Sequence, residues 1–166
     1  MQKLKVYLDT SVISYLDQQD APEKMRETHQ LWNLIIDRRY EVFISNVVIQ
    51  EIDACTPEKR AVLYSYLDQI TYTVLEASEK SVELAEKMID FGILKEKSFG
   101  DCQHIAAAIL GGCDIITSWN FKHIVNVKTI RGIKVLTTTE GYQDLLIYPP
   151  NVLLESEDYD SESGNE

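Results

Sequence analysis

The sequence predicts an α/β fold in which helices flank a central, mainly parallel β-sheet. Short apolar runs typical of strands alternate along the chain with longer segments of helical periodicity, and this alternation is typical of βαβ units. The 166 residues, 45% of them hydrophobic and 26% charged, match the size and composition of one folded domain. We therefore expect a single core with strands that meet at a common edge.

The first half of the chain is predicted to contain two strands, each followed directly by a helix. The run at 4–8 is apolar and ends in a turn-forming cluster, while Pro22 is well placed in the first turn of a helix. The predicted elements are strands at 4–8 and 41–45, and helices at 11–17, 22–39, 46–52 and 56–70.

The second half is predicted to continue the alternation with shorter strands. Gly92 and the pair Gly111 and Gly112 are placed to end helices. The predicted elements are strands at 72–75, 114–117 and 134–136, helices at 78–91 and 98–110, a helical turn at 120–125 and a short helix near 140.

The chain is acidic, with 16 basic and 27 acidic side chains and a net charge of −11. This charge argues against a general nucleic-acid coat protein and a polybasic membrane binder, but it does not exclude a nuclease. Six of the 27 acidic side chains lie in the last twelve residues, which are rich in Ser and contain no Lys or Arg. We interpret 1–150 as the folded domain and 151–166 as an acidic, disordered tail.

Cysteine usage and hydropathy indicate a cytoplasmic protein that does not enter a membrane. Cys55, Cys102 and Cys113 are odd in number and lack the C-x-x-C spacing of a zinc site or a disulfide framework. Asp9 interrupts the first apolar stretch too early for a signal peptide, and no run approaches the ~18 apolar residues of a membrane helix.

Three carboxylates are candidates for one functional site. Ligands bind at the carboxyl ends of the strands in an open parallel sheet. Asp9 follows the first strand directly, and Asp101 lies in the first turn of a helix. Glu51 lies on an otherwise apolar helical segment, where a carboxylate requires a partner or a metal.

Grouped carboxylates require a cation, because several of them stay ionised together at neutral pH only if their charge is neutralised. Oxygen ligands select Mg²⁺ or Mn²⁺, whereas the three histidines are too scattered for a zinc motif. A hard cation held by carboxylates is typical of phosphoryl chemistry, and phosphodiester hydrolysis is the leading reaction class.

Four segments together resemble the motifs of the PIN domain. They are VYLDTSVISYL around Asp9, the helix with Glu51, SFGDCQHIAAA around Asp101, and DIITSWN ending at Asn120. The resemblance spans about residues 3–146 and is closest to VapC-type toxins of bacterial type II toxin–antitoxin systems. It implies a three-layer PIN-like fold and a Mg²⁺- or Mn²⁺-dependent ribonuclease, often a homodimer, that is inhibited by a cognate antitoxin protein.

The resemblance assigns metal binding to Asp9, Glu51 and Asp101 and a fourth catalytic position to Asn120. Many PIN domains have an Asp just after the fourth strand, where this chain has the neutral Asn120. Three acids hold one Mg²⁺ adequately and a second one poorly, so one metal is favoured over two. Asp114, at the start of that strand, is expected to point away from the site.

Each candidate residue also has an ordinary structural explanation. Asp9 is suited to capping the next helix, Asp101 to the helix dipole, and Glu51 to a surface salt bridge. Thr10 and Ser118 suit either substrate contact or capping. His104 is interpreted as a structural histidine, and Trp119 as either a base-stacking or a packing residue.

A basic run follows the proposed site and is a candidate RNA-backbone track. It contains no acid between 122 and 134, although such a run is also typical of a solvated face. Its basic residues are Lys122, His123, Lys128, Arg131 and Lys134.

Two other functions compete with the nuclease. A degenerate PIN-like fold would bind RNA or protein without cutting it, and metal binding at the acids would separate it from a nuclease. A Mg²⁺-dependent phosphatase also has an Asp after its first strand, but that chemistry needs a second Asp two residues later, where this chain has Ser11.

Overall fold

The structure is a computed structural model that describes residues 2–154. Its strands are β1 (Lys5–Leu8), β2 (Glu41–Ser45), β3 (Thr73–Leu75), β4 (Ile115–Thr117) and β5 (Leu146–Tyr148). Its α-helices are α1 (Thr10–Ser14), α2 (Pro22–Ile36), α3 (Asn46–Asp53), α4 (Pro57–Leu67), α5 (Glu79–Asp90), α6 (Phe99–Leu110) and α7 (Val127–Glu140). A 3₁₀ turn, Tyr15–Asp17, lies between α1 and α2, and a second one, Glu96–Ser98, lies between α5 and α6.

The strands form one sheet in the order β3-β2-β1-β4-β5, and all four pairings are parallel. The central strand, β1, pairs Val6 with Val42 on one side and with Ile115 on the other. Because the strands are parallel, their carboxyl ends lie at one edge of the sheet, and the segments that leave them converge there. The predicted α/β class with a parallel sheet and flanking helices is confirmed.

The core lies around β1 and α6. A central parallel strand is covered on both faces and therefore has a continuous apolar sequence, and Tyr7 and Leu8 are fully buried. On α6, Ile105, Ala106 and Ala108 are also fully buried. A buried helix directly behind the site holds its polar residues, Asp101 and His104, in fixed positions.

The predicted strand at 134–136 is wrong, because these residues belong to α7. The side chain of Asn126 caps this helix by accepting a hydrogen bond from the Thr129 amide, and Gly141 ends it with a positive φ of 77°. The two caps mark the start and the end of a helix with an apolar face. The prediction of a strand considered only the short run from Lys134 to Leu136 and did not use these caps. The last strand is β5, at the edge of the sheet.

The chain beyond β5 packs back onto the domain. Residues 150–154 are helical, the Leu153 side chain is buried, and its carbonyl accepts a hydrogen bond from the Tyr40 hydroxyl. The predicted acidic tail, 151–166, lies outside the described residues from position 155 onward. Of the helices in residues 2–154, none has the length and apolar character needed to cross a bilayer.

Candidate functional site

A cleft of about 580 Å³ lies at the carboxyl edge of the sheet. It is lined by all three predicted acids, by the predicted residues Thr10, Asn120 and Lys122, and by aromatic side chains. The complete lining is Asp9, Thr10, Ser11, Ser14, Tyr15, Glu51, Asp101, Trp119, Asn120, Phe121 and Lys122. The cleft thus joins residues that are more than 90 positions apart in the sequence.

Asp9 is the buried acid of the cleft. It follows β1 and caps α1, so its carboxylate is fixed by the strand-to-helix junction. Oδ2 accepts hydrogen bonds from the Ser11 hydroxyl at 2.6 Å and the Ser118 hydroxyl at 2.7 Å, and Oδ1 lies 3.4 Å from Nε2 of His104. Asp9 therefore caps a helix, as its structural explanation predicted, and also presents a carboxylate to the cleft.

Glu51 is held by His104, a residue that the sequence analysis did not place among the site residues. Nε2 of the imidazole lies 2.5 Å from Oε1 of Glu51, and Nδ1 lies 2.7 Å from the Tyr7 hydroxyl. That hydroxyl also contacts the Ser45 hydroxyl at 2.7 Å. The partner that an acid on an apolar helix requires is therefore a buried histidine on α6.

The environment of His104 favours its charged form. Burial alone lowers the pKa of this imidazole, but the hydrogen bond to Glu51 and the negative charges of the surrounding carboxylates outweigh burial and raise the pKa above its ordinary value. The imidazole thus acts as a counter-charge between Asp9 and Glu51. The sequence signal for this role is the spacing of three residues from Asp101, which places both side chains on one side of a helix.

Asp101 lies in the first turn of α6 and lines the same cleft as Asp9. Burial and then the negative charge of Asp9 raise the pKa of Asp101 above its ordinary value. Nδ2 of Asn120 donates to Oδ1 of Asp101 at 3.3 Å, and Oδ1 of Asn120 accepts from the His123 amide at 3.0 Å. Asn120 therefore orients Asp101.

We predict that Asp101→Asn stabilises the metal-free protein at neutral pH. Because folding raises the pKa of Asp101, the ionised carboxylate is disfavoured in the folded state, and stability falls as pH rises above 3.8, the ordinary value. The amide carries no such penalty and keeps an acceptor for Asn120. Thermal unfolding in EDTA should give a higher midpoint for Asp101→Asn at pH 7.5 and a smaller difference at pH 4.5. A lower midpoint at pH 7.5 would contradict this.

The oxygen ligands of the cleft suit a hard divalent cation, although they do not already form a complete coordination site. Among residues 2–154, no three His, Cys, Asp or Glu side chains are grouped in the arrangement of a complete metal site. All three carboxylates line the cleft; the charge of Glu51 is balanced by its hydrogen-bonded partner His104, and the other two are Asp9 and Asp101. Mg²⁺ is usually bound through one or two carboxylates together with waters, so these two oxygen donors suit it.

Ser118 lies beneath the surface of the cleft, and Trp119 lines the cleft but is almost completely buried. Ser118 is fully buried, donates to Asp9 and accepts from the Asn120 amide at 2.9 Å. The Trp119 indole is 6% exposed and donates from Nε1 to the Thr28 hydroxyl at 2.9 Å, so its environment is that of a packing residue. The Thr10 hydroxyl lies 3.5 Å from Nε2 of His104 at the cleft wall.

An aromatic cluster that the sequence analysis missed borders the cleft. The Lys24 amine lies 5.8, 5.6 and 5.3 Å from the ring centroids of Tyr15, Trp119 and Phe121 respectively. Phe121 is 45% exposed, so an apolar ring and an ammonium group face solvent beside the acids. Lys24 lies on α2, close in sequence to Tyr15 but more than 90 positions from Trp119 and Phe121, and only the fold brings it beside these two rings.

The predicted basic run divides between two faces. Lys122 lines the acidic cleft, and Lys122, His123 and Lys128 line a neighbouring depression. Arg131 and Lys134 line a different depression beside β5, and Lys134 pairs with Asp144 at 3.1 Å. Asp114 lies at the opposite edge of the sheet, where it accepts a hydrogen bond from the Lys5 amide.

The fold and the cleft define a parallel α/β protein with an acidic site at the carboxyl ends of its strands. The family model of the PIN domain matches residues 6–120. The chain therefore belongs to the PIN domain family, as the motifs indicated. No curated protein sequence matches it.

The fold is shared with known structures, one of them at low sequence identity. It is a chain of the crystal structure of VapBC2 from Rickettsia felis bound to a DNA fragment from their promoter. The TM-score is 0.56 and the identity 13%, and the match covers 88% of this chain and 98% of that chain. Since the match covers almost the whole of that chain, the two chains share their overall fold rather than one part of it.

Proposed function

We propose that this protein is a Mg²⁺- or Mn²⁺-dependent endoribonuclease. The observation that carries the proposal is the convergence of Asp9, Glu51 and Asp101 on one cleft at the carboxyl edge of the sheet. Membership of the PIN domain family supports a nuclease. A divalent cation bound there would polarise the phosphodiester and lower the pKa of the attacking water.

The residues of the cleft have distinct roles in this proposal. Asp9 and Asp101 provide the principal metal-binding oxygens, and Glu51 adds a third carboxylate that His104 positions. Ser118 fixes the orientation of Asp9, and Asn120 fixes that of Asp101. Asn120 is thus a positioning residue, which agrees with a site for one metal ion rather than two.

The borders of the cleft support a nucleic-acid substrate. The exposed Phe121 ring offers a face on which a base can stack, and stacking of this kind is worth about 1–3 kcal/mol per base. The Lys24 and Lys122 amines beside it suit the phosphates that flank such a base. The Thr10 hydroxyl, which lies at the wall of the cleft, is a further group that can contact the substrate.

We further propose that the chain is the toxin of a toxin–antitoxin pair in the cytoplasm. A structural neighbour is a chain of a VapBC2 complex bound to DNA, and this likeness together with the PIN motifs supports an antitoxin protein as partner. By the same resemblance, a homodimer is the expected assembly.

A PIN-like binding module without catalysis is the second candidate, and two observations favour it. Asp9 and Glu51 already have hydrogen-bond partners within the protein, and no complete metal site is formed among residues 2–154. A module of this kind has no reason to bind Mn²⁺ at the acids. The proposal is therefore tested by RNA cleavage that requires a divalent cation, with Mn²⁺ binding measured alongside.

A further inference from the structure

A second depression, which we term the basic groove, opens beside the acidic cleft. Its volume is about 200 Å³, and five of its lining residues are basic, while no lining residue in the described part of the chain is acidic. The basic residues are Lys95, Lys97, Lys122, His123 and Lys128. In a protein with a net charge of −11, this is a marked local concentration of positive charge.

The basic groove is continuous with the acidic cleft. Lys122 lines both depressions. Lys97 lies just before α6, whose first turn carries Asp101, and Asn120 connects the two sides by donating to Asp101 and accepting from the His123 amide. A ligand that extends out of the cleft past Lys122 therefore enters the groove directly.

The groove lysines carry charges that the described protein does not neutralise. All four are exposed, and in residues 2–154 no carboxylate oxygen lies within 4.0 Å of their amines. By contrast, Lys87 pairs with Glu140 at 2.8 Å and Lys134 with Asp144 at 3.1 Å. Uncompensated ammonium groups around a concave surface attract a polyanion.

We infer that the basic groove binds the phosphodiester backbone of the RNA next to the phosphate that is cleaved. This inference rests on the proposed function and extends it, because it assigns a path for the substrate on one side of the acids. Phosphate contacts of this kind carry no base specificity, so the groove contributes affinity for RNA of any sequence. Lys95 and Lys97 join a path in which the sequence suggested only residues from Lys122 onward.

The test is the salt dependence of RNA binding. Each lysine that contacts a phosphate of a single strand contributes about 0.7 to the slope of log Kd against log salt. We would measure fluorescence anisotropy of a labelled 12-nucleotide RNA of mixed sequence in EDTA, from 50 to 200 mM KCl, with all variants built on Asp9→Asn. We expect Lys95→Gln with Lys97→Gln, and separately Lys122→Gln with Lys128→Gln, to reduce the slope by about 1.4 each.

A matched control is Lys80→Gln with Lys87→Gln, two lysines of α5 that make the same change in net charge. Lys87 pairs with Glu140 at the C-terminal end of α7, whereas the groove contacts its N-terminal end. This control should show the same slope of log Kd against log salt as its parent, Asp9→Asn. Equal slopes in control and groove variants would overturn the inference, as would an absence of RNA binding by the parent.

The outcomes also separate the groove from the nuclease proposal. A reduced slope in the groove variants supports the groove even if wild-type protein cuts no RNA with any cation. Unchanged slopes overturn the groove even if wild-type protein cuts RNA. If the groove variants instead lose binding of a polyglutamate peptide while their RNA slope is unchanged, the groove belongs to an acidic protein partner and the inference is overturned.

Discussion

Asp9→Asn should reduce RNA cleavage by about a hundredfold to a thousandfold, because removing a group on which an electrostatic site depends commonly has effects of this size. The amide is isosteric and accepts the hydrogen bonds from Ser11 and Ser118, and Asn caps helices as well as Asp does. The fold should therefore persist. Initial rates of cleavage with Mg²⁺, measured beside thermal unfolding, test both expectations.

Asp114→Asn is the matched control for this variant. Asp114 is also next to a central strand, but at the opposite edge of the sheet, where it accepts hydrogen bonds from the Lys5 amide at 2.8 Å and the Gln143 side chain at 3.0 Å. Its substitution should leave cleavage within about twofold of wild type, since it is remote from the reaction. Normal cleavage by a folded Asp9→Asn protein would refute the proposed site.

His104→Ala should have the largest effect on stability among the site variants. The side chain is 1% exposed and is hydrogen-bonded to Tyr7 and Glu51. Its loss leaves a cavity, removes buried hydrogen bonds and leaves Asp9 and Glu51 without their counter-charge. We expect the free energy of unfolding to fall by about 2–4 kcal/mol, measured by urea denaturation.

His29→Ala provides a comparison outside the site. This histidine is half-buried and makes one hydrogen bond, from Nε2 to the Leu16 carbonyl at 2.9 Å. Removal of this side chain should lower the free energy of unfolding by about 1 kcal/mol and leave cleavage unchanged. His104→Ala, by contrast, should also slow cleavage, because Glu51 loses the residue that positions it. Equal losses of stability in the two variants would contradict the role assigned to the buried network around His104.

The sequence alone was sufficient for the parts of the fold that depend on local pattern. The parallel sheet followed from alternating strands and helices, and the acids at the strand ends followed from the geometry of such sheets. The error at 134–136 arose because a short apolar run does not distinguish a strand from a buried helix turn. The helix caps at Asn126 and Gly141, read together, would have identified α7.

The parts that were missed depend on contacts between distant segments. His104 looked like a structural histidine because its partner, Glu51, is 53 positions away. Lys95 and Lys97 line the basic groove together with residues 122–128, and Lys24 lies against the rings of Trp119 and Phe121, only in the folded chain. Charge runs in the sequence do not show which face each residue takes, which is why Arg131 and Lys134 were grouped with residues that lie elsewhere.

The most direct test of the central claim is cleavage of a mixed pool of end-labelled RNAs by the wild-type protein in Mg²⁺, in Mn²⁺ and in EDTA. Calorimetry of Mn²⁺ binding should be run on the same sample. We expect cleavage with either cation and none in EDTA, together with Mn²⁺ binding, because carboxylate oxygens select these ions. Cleavage that persists in EDTA, or an absence of both cleavage and Mn²⁺ binding, would contradict a metal-dependent ribonuclease.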